Sequence, residues 1–226
     1  MQRGKSIFTG RPAVALSASL FAGLSAGVAI LGMVLFAGPI AGQTKKSGKP
    51  VLAKTLRPVA SFASIADPKA RSVALFAEAS KVFLHPRCTN CHSASTRPRR
   101  GDRQRSHRPR VSGGKEGKGT SAMQCATCHS PRGLIRPGAP IVEGWRLAPV
   151  GAGWRKKSAG DICRQVRNKN TNGGMDLKAL QHHLAKDKLI AWSWNPGGKR
   201  APAPGSQRAF LDLTKAWADT GAHCPE

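Results

Sequence analysis

Two pentapeptides, Cys88-Thr89-Asn90-Cys91-His92 and Cys125-Ala126-Thr127-Cys128-His129, contain four of the six cysteines in the chain. In each, two thiols stand three residues apart and a histidine follows the second directly. This C-x-x-C-H spacing is the attachment signature of c-type haem. The thiols add across the two porphyrin vinyl groups, and the histidine ligates the iron from one side. Iron held in this way, with its potential set by the sixth ligand, handles electrons. The spacing therefore predicts two covalently bound c-type haems. Cys88, Cys91, Cys125 and Cys128 are the anchors, and His92 and His129 are the proximal iron ligands.

Two other chemistries use paired cysteines. Four thiolates can close a zinc tetrahedron. The two pairs, however, lie further apart than usual zinc spacings, and such a site does not require the histidines. A thioredoxin-like redox pair needs a strand-helix-strand setting, which surrounds neither copy.

The sixth ligands must come from the remaining histidines, His85, His107, His182, His183 and His223, or from Met123 and Met175. The helix expected near residues 176–190 carries an apolar stripe of Leu177, Leu180, Leu184 and Ala191. At about 100° per residue His183 lies beside that stripe and His182 projects further round, so His183 is the better candidate. His107, in the segment between the motifs, is a second candidate, placed to close over a haem from there. His85 is too close to Cys88 to reach the opposite face of its own haem, and Met123 is similarly placed before Cys125.

Arg3, Lys5 and Arg11 precede an uncharged stretch from Pro12 to Gln43, which is the layout of an export signal. The stretch is also long enough to anchor the chain in a bilayer. Residues 1–42 are thus expected to be a signal or membrane anchor, with the remainder in the periplasm. An oxidising compartment favours a bridge between Cys163 and Cys224; the alternative is two buried free thiols.

The formal net charge is +26 over 226 residues. Such a field steers encounters with acidic proteins and anionic membrane surfaces. It would suggest nucleic acid in a cytoplasmic chain, but the export layout and haem motifs argue against that partner, and no nucleic-acid fold signature is present. Much of the charge lies in a Gly/Pro/Ser-rich basic loop at about 93–122. Its arginines suit haem propionates or a docking surface, or simply remain hydrated.

Residues 43–65 have linker composition, and the dihaem domain is expected over 66–226. Asp67-Pro68 signals a helix start, followed by Val73, Phe76, Ala77, Ser80 and Leu84 at helical spacing. Ser158 and Asp161 imitate a capping box before Ile162, Cys163 and Val166. A third helix is expected from Asp176 to Ile190. A fourth runs from Gln207 to Thr220, with Phe210, Leu213, Thr214 and Trp217 on one face and Gly221 as its stop. No strand pattern stands out. The expected fold class is mainly α, a helical dihaem cytochrome c domain with long irregular loops.

A wider order of short motifs carries a resemblance. It runs His85-Pro86-x-Cys88-x-x-Cys91-His92, Gly101-Asp102, His107, Cys125-x-x-Cys128-His129, Pro137-Gly138-Ala139-Pro140 and Leu147-Ala148-Pro149. It continues through Trp154, Ile162-Cys163, Asn172-Gly173-Gly174, His183, Trp192-x-Trp194-x-Pro196-Gly197, Pro202-x-Pro204-Gly205 and Gly221-Ala222-x-Cys224-Pro225. This order resembles bacterial proteins named isoquinoline 1-oxidoreductase subunits, from about Leu56 to Pro225. The resemblance implies association with a molybdenum-type hydroxylase of aromatic N-heterocycles. Because the chain shows no sign of a molybdopterin or iron–sulfur domain, its own role there would be an electron-accepting cytochrome. The Arg-rich loop departs from the pattern, as does Ser93, where proline is expected.

The expected function is electron transfer between an exported dehydrogenase and a respiratory acceptor. The alternative is a dihaem peroxidase-like enzyme with one open iron. A haem-based sensor is a third possibility, although no output domain is visible. Trp145, Trp154, Trp192 and Trp194 are expected to wall the haems from water.

Overall fold

The computed structural model describes residues 53–134 and 139–226. The expected signal or anchor over 1–42 and the first part of the linker lie outside these residues. The described residues belong to one compact unit.

The helix α1 (Pro68–Phe83) begins where Asp67 accepts hydrogen bonds from Lys69 N and Ala70 N, with proline at its first turn. These contacts satisfy amides that have no partner within the helix. Ser72, Leu75, Phe76, Ala79, Val82 and Phe83 form its buried face at helical spacing. The C-terminal helix, α7 (Gln207–Asp219), is capped by Ser206 and buries Phe210, Leu213, Thr214 and Trp217. The two faces pack together through aromatic rings. Phe76 and Trp217 have centroids 4.9 Å apart, and Phe83 and Phe210 are 5.1 Å apart. Ser72 joins both ends of this contact, its Oγ donating to Trp217 O and accepting from His223 N.

Between the first and last helices lie α4 (Ala159–Arg167), α5 (Leu177–Lys186) and α6 (Lys188–Trp192). Ser158 and Asp161 form the expected capping box of α4. The single helix expected over Asp176–Ile190 is two helices, because Asp187 turns to an extended ψ of 120° and caps α6 by accepting from Leu189 N and Ile190 N. A disulfide joins Cys163 on α4 to Cys224 beyond α7.

Two further details differ from the sequence expectations. Residues 53–65 are not a free linker: Phe62 is buried, Leu56, Val59 and Ile65 pack on the core, and Gly205 N donates to Lys54 O. The basic segment is also more ordered than a loop. It contains two small antiparallel hairpins, β1 (Arg99–Arg100) with β2 (Arg105–Ser106) and β3 (Gly119–Thr120) with β4 (Met123–Gln124). Strands of two residues leave no detectable alternation in sequence. Among the described residues no helix is long and apolar enough to cross a membrane.

The disulfide closes a loop with a sequence separation of 61. Replacing Cys163 and Cys224 together with alanine should lower the unfolding free energy by about 2–4 kcal/mol in urea titrations. An unchanged midpoint would contradict the bridge's role. His85 supplies a pH-dependent contribution. It is 2% exposed, and burial, with Arg87 beside it, pushes its pKa down to about 4. The unfolded imidazole takes its proton near pH 6.5. Stability from this group is therefore complete above about pH 6.5 and is lost as pH falls towards 4. His85→Asn should lose about 1–2 kcal/mol less stability than the parent between pH 7 and 4.5.

Candidate functional site

Each C-x-x-C-H sequence forms one hydrogen-bonded helical turn: the first runs on from the end of α2 (Pro86–Thr89), and the second takes in α3 (Ala126–His129). Their hydrogen bonding is the same. Cys88 O accepts from Cys91 N at 3.1 Å and from His92 N at 2.9 Å; Cys125 O accepts from Cys128 N at 3.1 Å and from His129 N at 3.0 Å. One turn brings residues i, i+3 and i+4 onto a common face. Two thiols and an imidazole thus leave each turn together. All four motif cysteines are free, whereas Cys163 and Cys224 are bridged.

A downstream segment closes on each turn. Trp154 N and Arg155 N both donate to His92 O, and Leu134 N donates to Thr127 O. Glycine is required at both approaches: a Cβ at Gly153 would strike the backbone of Ala94, and one at Gly133 would strike Ala126 O.

The two motif histidines have matching surroundings. His92 Nδ1 lies 2.6 Å from Ala152 O, and His129 Nδ1 lies 3.0 Å from Pro140 O. A carbonyl oxygen can only accept, so Nδ1 carries the proton and Nε2 keeps its lone pair. A tryptophan stacks on each ring. Trp154 lies 3.4 Å from His92 at 1°, and Trp145 lies 4.4 Å from His129 at 15°. Burial pushes the pKa of His92 down to about 4 and also lowers that of His129. Both are therefore neutral near pH 7, the form in which imidazole ligates a metal.

The two candidate distal histidines each lie near one motif. His107 faces His129 with ring centroids 6.1 Å apart. Two imidazoles each about 2 Å from one shared metal would hold their centroids about 6 Å apart. His107 Nδ1 is 2.9 Å from Pro109 O, so its Nε2 is also left as the lone-pair nitrogen. His183 is close enough to His92 for its charge to lower the pKa of that ring. Its hold is looser, with Nδ1 3.7 Å from Asp187 Oδ2 and a side chain 41% exposed.

The other candidates are less suited to ligation. His85 Nδ1 accepts from Arg87 N at 3.3 Å, which places the neutral ring's proton on Nε2. His182 is exposed. His223 holds its backbone against Ser72 and Trp217, and Met175 packs against the core. Met123 is 45% exposed, although it borders a small cavity shared with His107 and His129.

A cavity of about 270 Å³ lies between the motifs, with Cys91 from one and Cys128 and His129 from the other in its walls. Arg87, His107, Trp145 and Trp192 complete much of the lining. Arg87 is 5% exposed and pairs with Asp102 at 2.5 Å. Burial pushes its pKa down and the Asp102 carboxylate opposes that shift. Several buried donors around the motifs find no partner among the described residues: Arg87 Nε, Trp145 Nε1, Trp154 Nε1 and Arg155 Nε. Buried polar groups are normally satisfied, so these donors suit a group that brings acceptors, such as the two porphyrin carboxylates.

Among the described residues no three His, Cys, Asp or Glu side chains converge in an arrangement that could hold a metal ion. A closed zinc site needs four such ligands; a haem iron takes only axial ligands from the protein. The residues present therefore fit haem better than the zinc alternative. Sequence reasoning missed Arg87, the Ala152 and Pro140 carbonyls, and the pairing of each motif histidine with a particular tryptophan. None has a spacing signature, because each partner arrives from a distant loop. Comparisons of the chain with protein families, with curated proteins and with solved structures found no match.

Proposed function

We propose that the chain is an exported dihaem c-type cytochrome that carries single electrons between a dehydrogenase and a respiratory acceptor. One observation carries this reading most. Both motif histidines sit on the same one-turn scaffold, with Nδ1 tied to a backbone carbonyl, Nε2 free and an indole stacked on the ring.

Attachment is an addition without net oxidation. On attachment the S–H bond of each thiol would break, sulfur would bond to one vinyl carbon, and hydrogen would go to the other. Cys88 and Cys91 serve one macrocycle, Cys125 and Cys128 the second. Once bound, each group supplies a one-electron iron couple whose potential depends on its axial ligands. The chain orients the proximal nitrogens through Ala152 O and Pro140 O, shields them with Trp154 and Trp145, and offers His107 and His183 as distal ligands.

The Cys163–Cys224 disulfide supports an oxidising compartment. It agrees with the export layout of residues 1–42 and with a periplasmic protein, either released or anchored. Redox proteins are the proposed partners. A molybdenum-type hydroxylase enters through the motif resemblance alone, and an anionic membrane surface through net charge.

One asymmetry favours the peroxidase-like alternative as a second reading. His107 is tied to Pro109 O, whereas His183 is loosely held and partly exposed. If one iron is open, it is the one held by His92.

Electronic absorption and EPR spectra of holoprotein produced with a c-type maturation system test these readings. Two low-spin, six-coordinate haems are expected, and His107→Ala should convert one of them to a high-spin form. A high-spin iron in the parent that rapidly binds cyanide or peroxide would instead support the enzyme. Replacing Cys88 and Cys91 with serine should leave one haem per chain. Loss of both haems from a folded variant would contradict independent attachment.

A further inference from the structure

We infer that the groove between the β1–β2 hairpin and the segment around Arg200 seats a carboxylate-rich segment of an acidic redox partner protein. The hairpin is fixed to the first motif. Arg99 N donates to Asn90 O, Asn90 Nδ2 donates to Gly101 O, and the Gln104 amide donates to Thr89 Oγ1. Asp102 joins both walls, with Oδ1 taken by Arg87 and Oδ2 accepting from Ala201 N at 3.2 Å.

The groove between these walls has a volume of about 630 Å³, and Arg100, Arg103, Arg105, Lys199 and Arg200 line it. None of these five cations forms an ion pair among the described residues. The one acidic residue in the lining, Asp102, already has both oxygens engaged. The fixed walls therefore present a concentrated and uncompensated positive charge. Guanidinium forks recognise carboxylates bidentately.

The shape and surroundings select the occupant. A concave groove admits a protruding protein segment, whereas a lipid surface would meet the convex rim. The proposed oxidising compartment separates the chain from nucleic acid. Arg100, Gly101 and Arg200 also line the cavity between the motifs. A segment docked here therefore lies beside the place assigned to the redox groups. Naming the partner a redox protein rests on the proposed function; binding of carboxylates by the groove does not.

The experiment measures fluorescence anisotropy of a labelled oligoglutamate peptide with the holoprotein, whose haem content is assayed separately. Arg103→Glu/Arg105→Glu/Lys199→Glu is compared with Lys69→Glu/Lys169→Glu/Lys178→Glu, which makes the same charge change on exposed positions outside the groove. The groove variant should weaken binding by about 30-fold or more and the control by less than about threefold. Equal losses would show that only the overall field attracts the peptide and would overturn the inference. Tighter binding of a labelled oligonucleotide or of anionic vesicles, abolished by the groove variant alone, would overturn it in favour of that polyanion. A preparation that stays haem-free despite a functioning c-type maturation system, yet binds oligoglutamate through the groove, would sink the cytochrome reading and leave the groove assignment standing.

Discussion

A single hydrogen bond at each motif histidine determines what that residue can do. An imidazole is useful to iron only if the nitrogen facing the metal keeps its lone pair. The carbonyls of Ala152 and Pro140 ensure this by accepting from Nδ1 of His92 and His129. Much of the remaining architecture serves to deliver those two carbonyls. Ala152 ends a short 3-10 helix (Val150–Ala152), and the chain reaches the first motif there only because Gly153 has no side chain to strike Ala94. The rigid part behind it is the α1–α7 core, where Phe83 packs edge-on against Trp154 with centroids 5.1 Å apart. The packing of the aromatic core is thus linked directly to the ring that stacks on His92.

The same interaction separates the histidines. His107 Nδ1 faces a carbonyl, which leaves Nε2 with its lone pair; His85 Nδ1 faces an amide, which puts the proton on Nε2. Their positions relative to the motifs in sequence do not reveal this difference. Sequence separation sets His85 apart from its own haem alone and says nothing of which ring nitrogen keeps a lone pair. The tautomer depends on which backbone atom the fold places beside Nδ1, which is a tertiary property.

Local rules made other parts readable from sequence. Asp67-Pro68 and Ser158 with Asp161 are short-range capping signals, and the structure contains both helices they announce. The C-x-x-C-H turn is equally local, since its geometry follows from helical spacing. The failures have a different origin. Asp187 splits an apparently continuous apolar stripe because its carboxylate competes successfully for the amides of the next turn. The β1–β2 hairpin was hidden by its charge. Its order comes from Thr89 and Asn90 in the preceding motif and from Arg87 just before it rather than from its own pattern. Linker composition similarly concealed Phe62, whose burial depends on α1 and α7 being in place.

The central claim is that both one-turn motifs hold covalent haem, and intact-protein mass spectrometry of the denatured, purified protein tests it most directly. The account predicts a mass increased by two haems, with thioether-modified peptides containing Cys88, Cys91, Cys125 and Cys128. A chain of unmodified mass carrying zinc in its native state, despite expression with a functioning c-type maturation system, would contradict it.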